Sequence, residues 1–353
     1  MSEHTEQERR IRELVEFLCA PECAGRAPGT PGGRRARDRI QDEFAALGLA
    51  PAAGDGTFLQ PVPACRGHNV VGRHGPGGRR AVLIAAHYDH LGHAHGDEAY
   101  WGADDNAAAV AILLEVARAL QGEALARDVW FVSFDGEEPP YFLGVGMGSI
   151  HFVKHPPFDL GLLDMMVCMD LMGHALGPEG LPRALRDSFF VLGAGRSEGT
   201  PALLDGLEAS VAGCHPRRLS CEVVPALSDY YAFDQAGIPH LFLTCGRWEH
   251  YHQVTDTPEK LDYPKIAASA RWLTGLTRAL CARSEPSRYV PQGTDDAGTV
   301  RSLTEVAGIL APVDPRAGFL TQALAAFQGR AAFDAAAKQQ LAGLVAMVED
   351  ALG

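Results

Sequence analysis

Five side chains that bind zinc well stand between positions 87 and 252: His87, Asp105, Glu138, Asp170 and His252. A sixth acid, Glu137, adjoins Glu138 and is available as a base. They sit in the strings Ala86-His87-Tyr88-Asp89-His90-Leu91-Gly92, Gly102-Ala103-Asp104-Asp105-Asn106, Phe134-Asp135-Gly136-Glu137-Glu138, Met169-Asp170-Leu171-Met172-Gly173 and Tyr251-His252-Gln253-Val254-Thr255-Asp256-Thr257. Imidazole nitrogen and carboxylate oxygen are zinc donors, and a catalytic zinc keeps one position open. Two zinc ions about 3.5–4 Å apart can share one hydroxide and polarise the carbonyl it attacks. Such a site needs a carboxylate common to both ions. The expected arrangement has two Zn2+ per chain, with Asp105 as the bridge. His87 and Asp170 would complete one ion, Glu138 and His252 the other. Asp89 is placed to accept the second ring N–H of His87 and fix its orientation, or to cap a turn. Glu137 would take the proton of the metal-bound water and give it to a leaving amine. The implied chemistry is hydrolysis.

Two adjacent acids after an apolar strand are unfavourable unless a cation or metal compensates them. Strand alternation would also send them to opposite faces, so the backbone must leave strand geometry at Gly136, as glycine permits. Of the remaining histidines, His90, His93 and His95 share one stretch with Asp97 and Glu98 and read as a solvated loop near an entrance. His174 is expected to line the cleft or the surface, and Asp256 to orient His252 or cap a turn.

Short, nearly continuous apolar runs at Val82 to Ala86, Val129 to Phe134, Met165 to Met169, Phe189 to Leu192 and Leu241 to Thr244 suit strands covered on both faces. Helical spacing is evident from about Arg10 to Leu18, from about Arg34 to Leu47, and most clearly over Ala107 to Leu120, whose start Asp105 or Asn106 can cap. Strands alternate with helices, so the class is α/β: a three-layer domain with a mixed, mostly parallel sheet flanked by helices. His87, Glu137, Glu138 and Asp170 each follow a strand directly, where open α/β sheets place their ligands.

The 353 residues are 46% hydrophobic and 21% charged, which allows a sizeable core. Thirty-one Lys+Arg against 44 Asp+Glu give a net charge of −13, which argues against a sequence-independent nucleic-acid binder. The acidic start has no apolar segment behind a basic one, and no run reaches membrane-spanning length. Eight scattered cysteines without a framework spacing fit reduced thiols and a cytoplasmic protein. Residues 1–284 are expected to form the catalytic domain. Residues 285–353 are expected to be a linker, Arg288 to Thr299, and a helical extension with apolar stripes at Phe319, Leu320, Ala323, Leu324 and Phe327 and at Leu341, Leu344, Val345 and Val348. Those stripes would pack on the main domain or mediate a homo-oligomer.

These strings resemble the co-catalytic dizinc aminopeptidases, a metallopeptidase family that also contains glutamate carboxypeptidase, transferrin receptor and the glutaminyl cyclases. The resemblance runs from Gly25-Arg26-Ala27-Pro28-Gly29-Thr30-Pro31-Gly32 to about Tyr263. It implies that Asp105 bridges, that Glu137 is the base, that the peptide bond after Asp105 is cis, and that the sheet has about eight strands. The implied activity is removal of N-terminal residues from peptides. Three features depart from the pattern. Pro139 to Met147 intervene before Gly148-Ser149, the usual Ser-Asp-His reads Ser228-Asp229-Tyr230, and no insert stands between Asp55 and His68. Phe134 to Glu138 and Asp170 to Gly173 also look like glutaminyl cyclase strings, so the alternative is a glutaminyl-peptide cyclotransferase with a single zinc. A non-catalytic relative typically loses ligands, and this sequence keeps them all. For the substrate's first side chain, Tyr141, Phe142, Trp248 and Tyr251 are the aromatic candidates.

Overall fold

The apolar runs at 82–86, 129–134 and 165–169 become the centre of a nine-stranded sheet in the computed structural model, which describes residues 3–94, 98–330 and 333–352. The strands are β1 Ala50–Pro51, β2 Leu59–Val62, β3 Gly67–His74, β4 Ala81–His87, β5 Asp128–Phe134, β6 Leu163–Met169, β7 Ser188–Leu192, β8 His215–Leu219 and β9 His240–Thr244. Their order is β1-β3-β5-β4-β6-β9-β7-β8, with β2 beside β3. The four central strands β5, β4, β6 and β9 run parallel, and antiparallel pairings flank them. Every residue of β4, β5 and β6 is buried, as a sheet covered on both faces requires.

The helices are α1 Glu3–Leu18, α2 Pro31–Ala46, α3 Ala108–Ala119, α4 Gly148–Lys154, α5 Arg183–Arg186, α6 Thr200–Asp205, α7 Tyr230–Gln235, α8 Tyr263–Cys281, α9 Asp296–Leu310, α10 Arg316–Ala325 and α11 Ala335–Leu352. α1, α3 and α8 pack on one another, α3 and α8 also against β4. α4 and α7 pack together, α7 on β6 and β9, which gives the α/β three-layer arrangement. Among the described residues, all eight cysteines are free, and no helix is long and apolar enough to cross a membrane.

Several expectations change on the structure. Neither Asp105 nor Asn106 caps α3; the chain enters it through a π-turn at Ala103–Ala107, which leaves the Asp105 carboxylate facing the sheet edge. The cis bond at Asp105–Asn106 is present, and Pro139–Pro140 is also cis. The polar stretch read as a linker ends inside α9, which starts at Asp296 with the Asp295 carboxylate accepting the Gly298 N–H. β8 escaped the sequence pattern because His215-Pro216-Arg217-Arg218-Leu219 reads as polar. Its arginines are paired instead: Arg217 with Glu305 of α9, Arg218 with Asp205 and Asp295. The Ser220 N–H donates to Thr299 Oγ1, and Lys338 of α11 meets Glu222, so the C-terminal helices lie against this end of the sheet. Leu320, Leu324, Phe327, Leu341 and Val348 are buried, whereas Phe319 is 61% exposed.

Candidate metal centre

His87 is the last residue of β4, Glu137 and Glu138 follow β5, and Asp170 follows β6, so the carboxyl ends of three parallel neighbours meet at one edge. His252 reaches the same edge from the loop after β9, held in the left-handed region at φ 56. Gly136 has φ +68, and a Cβ there would lie 2.4 Å from the Gly146 carbonyl oxygen. Glycine alone lets the strand turn there, so both glutamates point to one side. The turn is fixed by Asp89, whose two oxygens accept the backbone N–H groups of Glu137 and Glu138 at 3.1 and 3.2 Å. Its Oδ1 also lies 3.6 Å from His87 Nδ1. Asp89 thus touches both the imidazole and the glutamate turn.

The two oxygens of Asp105 face different partners. His87 Nε2 stands 3.5 Å from Asp105 Oδ1 and 3.4 Å from Asp170 Oδ1. His252 Nε2 stands 3.2 Å from Asp105 Oδ2 and 3.1 Å from Glu138 Oε2. Donors held about 2.0–2.1 Å from one tetrahedral zinc stand roughly 3.4 Å from each other, so both groupings fit an ion. Asp105 Oδ2 and Glu137 Oε1 are buried with no hydrogen-bond partner among the described residues, as donors awaiting a ligand would be. Glu137 Oε2 lies 3.7 Å from His87 Nε2, on the open side of the same group.

Three residues of this site were missed or misplaced by sequence. His90, read as part of a solvated loop, is fully buried; its Nδ1 lies 2.7 Å from Glu138 Oε1 and 3.9 Å from Asp105 Oδ2. Periodicity could not reveal this, since the chain has left strand geometry there; its neighbours His95 and Asp97 lie outside the described residues. Asp229 is buried, and neither of its oxygens has a hydrogen-bond partner among the described residues. Burial pushes its carboxyl up to about 7, partly opposed by His87. Arg26, in the glycine-rich turn, is fully buried and donates to the carbonyls of Leu18, Tyr88, Trp101, Gly102 and Asp105.

Around this core, Asp256 accepts the N–H groups of Asp104 and Asp105, and the Asp104 carboxylate in turn meets His174 Nδ1 at 2.7 Å. The cleft of about 110 Å³ over the acids is lined in part by Pro139, Phe142, Leu227, Arg247 and Tyr251. Tyr251 stacks on His252 with ring centres 3.8 Å apart. Tyr141 and Trp248 are not among its lining residues: Tyr141 packs on Gly146, and Trp248 stacks on His174.

The comparison that decides the family covers the same residues: the model for peptidase family M28 matches residues 69–277, more than half of the chain. The chain belongs to peptidase family M28. Its M28 relatives include the uncharacterised protein YfbL of Escherichia coli K12, 27% identical over 284 residues, covering 73% of this chain and 84% of that one. A glutaminyl-peptide cyclotransferase of Bos taurus is 29% identical over 190 residues, 46% of this chain and about half, 53%, of the cyclotransferase. The M28 fold is shared with the LapA aminopeptidase of Legionella pneumophila at a TM-score of 0.61, with 17% identity, over 80% of this chain and 76% of LapA. The match ends before α9, so the helices from Asp296 onward lie outside the M28 pattern.

Proposed function

We propose that this chain is a zinc-dependent aminopeptidase that removes N-terminal residues from peptides, with Glu137 as its general base. The observation that carries the reading is the division of Asp105, one oxygen toward His87 and Asp170 and the other toward Glu138 and His252. One carboxylate common to two donor groups suits two zinc ions. Bound there, zinc supplies a lowered pKa for water and a polarised substrate carbonyl. Glu137 performs the proton transfer. Burial, only partly offset by His87, holds its carboxyl well above the usual carboxylate range. It is thereby suited to take a proton from water and return it to the departing amine. Asp89 positions it through the backbone, and the surrounding acids attract the free α-ammonium that marks a peptide's first residue.

The bovine cyclotransferase relative supports a second reading, a cyclase with one zinc. Elemental analysis of the saturated protein, paired with aminoacyl p-nitroanilides and glutaminyl peptides, separates the two. Two zinc ions per chain and anilide hydrolysis are the expected result. Full activity with one zinc, and ammonia release from glutaminyl peptides, would select the cyclase.

The histidines also set a pH dependence. Burial opposes charge on His252, but hydrogen bonds to Asp105 and Glu138 outweigh it and push the group up to about 10. At His87 burial is again outweighed, by Glu137 and Asp170, and the imidazole lies well above its ordinary value. Both are therefore protonated near neutrality without metal, and both must lose that proton to coordinate. Zinc uptake should release protons and weaken as pH falls. Titration calorimetry in buffers of different ionisation enthalpy checks this; a binding heat independent of buffer would refute it.

A further inference from the structure

Beside the metal cleft lies a second cavity, of about 70 Å³, several times the space one water needs. Phe190 and Leu192 of β7, Leu303 of α9 and Val345, Val348 and Leu352 of α11 line it, and its charged walls are Arg247 and Glu349. It shares Leu227 and Arg247 with the cleft, so these two side chains form the partition between the two spaces. Leu227 is only half-buried and Arg247 is exposed. Among the described residues Arg247 makes no ion pair; its guanidinium lies 5.2 Å from the Tyr251 ring centre, on the cleft side. A partition made of one leucine and one unpaired arginine can swing aside at little energetic cost.

The chamber is roofed by α11, whereas the cleft opens to solvent past Pro139 and Phe142. An exopeptidase that binds a free amino end places the first residue at a blind end and lets the rest of the peptide leave by the open one. We propose that this chamber is the specificity pocket for the substrate's N-terminal residue, taking an aliphatic or aromatic side chain, and that α11 is thereby part of the substrate site. The proposal rests on the aminopeptidase reading and deepens it. It assigns the helices outside the M28 match a role beyond packing, that of setting which peptides are cleaved.

The test uses the full-length, zinc-loaded protein and two amino alcohols, L-phenylalaninol and L-alaninol, which carry the ammonium and side chain but no scissile bond. Calorimetry should find phenylalaninol bound at least about tenfold tighter, the lower end of what an apolar pocket discriminates. Val348→Phe and Val345→Phe, which fill the chamber from α11, should each bring that ratio close to one. The same variants should lower the Phe-to-Ala ratio of kcat/KM on aminoacyl p-nitroanilides by a similar factor. Equal binding of the two alcohols by the wild type would overturn the proposal. So would variants with a raised Tm and unchanged ratios, the behaviour of a packing void that has been filled. If anilide hydrolysis is present but its ratio does not move, the chamber assignment fails and the peptidase reading stands. If no anilide is cleaved, yet both variants lose discrimination between the alcohols, the pocket stands and the peptidase reading fails.

Discussion

Glu137→Gln should lower kcat by about 10²–10⁴, the range of general acid–base catalysis, while zinc content stays near that of the wild type. The two parts of that result test different things. The amide keeps the shape of the carboxylate but cannot hold the transferred proton, so the chemical step slows. The donor groups are His87, Asp105, Asp170, Glu138 and His252, and the side chain of Glu137 stands outside their short contacts, its nearest imidazole nitrogen 3.7 Å away. Single-turnover kinetics alongside metal analysis is the check. Loss of zinc from the variant would mean that Glu137 and Glu138 have exchanged roles.

Arg26→Ala should be the most damaging change away from the acids. The guanidinium is fully buried and satisfies five backbone carbonyls from α1, the loop after β4 and the turn that carries Asp105. Truncation leaves those acceptors dry, at about 1–3 kcal/mol for each group left unpaired. A loss of at least about 3 kcal/mol is therefore expected. Because Gly102 and Asp105 are among the acceptors, zinc affinity should fall together with stability. Arg26→Lys should recover only part of both, since one ammonium cannot span acceptors arranged for a planar fork. Urea unfolding and zinc competition with a chelator measure the two effects. Unchanged zinc affinity in a destabilised variant would confine Arg26 to packing.

The contrast between these two residues explains what could be read from sequence. Glu137 announces itself because paired acids after an apolar strand make little sense without a metal or a reaction. Arg26 does not, because an arginine in a glycine-rich turn looks like surface until the carbonyls around it are known. The central strands were legible for a related reason: β4, β5 and β6 are buried on both faces and so are apolar at almost every position. β3 and β8 were not, since β3 mixes His68, Asn69, Gly72 and Arg73 into its strand and β8 balances its arginines against acids distant in sequence. His90 was obscured by its company, a stretch rich in histidine and acid, where composition suggested solvent and tertiary structure supplies Glu138. α9 was obscured by its polar opening, whose Asp295 is a cap.

One small contact has a bearing on when this protein becomes active. Asp256 grips the amides of Asp104 and Asp105, its partners in a stretch of chain 152 and 151 positions earlier. A nascent chain emerging from the ribosome thus exposes His87 and Asp105 long before the loop that steadies their turn exists, and α11 emerges later still. Contacts so distant in sequence form late and slowly. Incomplete or truncated chains would therefore carry the acids without the clasp that aligns them, and hydrolytic capacity would arrive only with the finished fold.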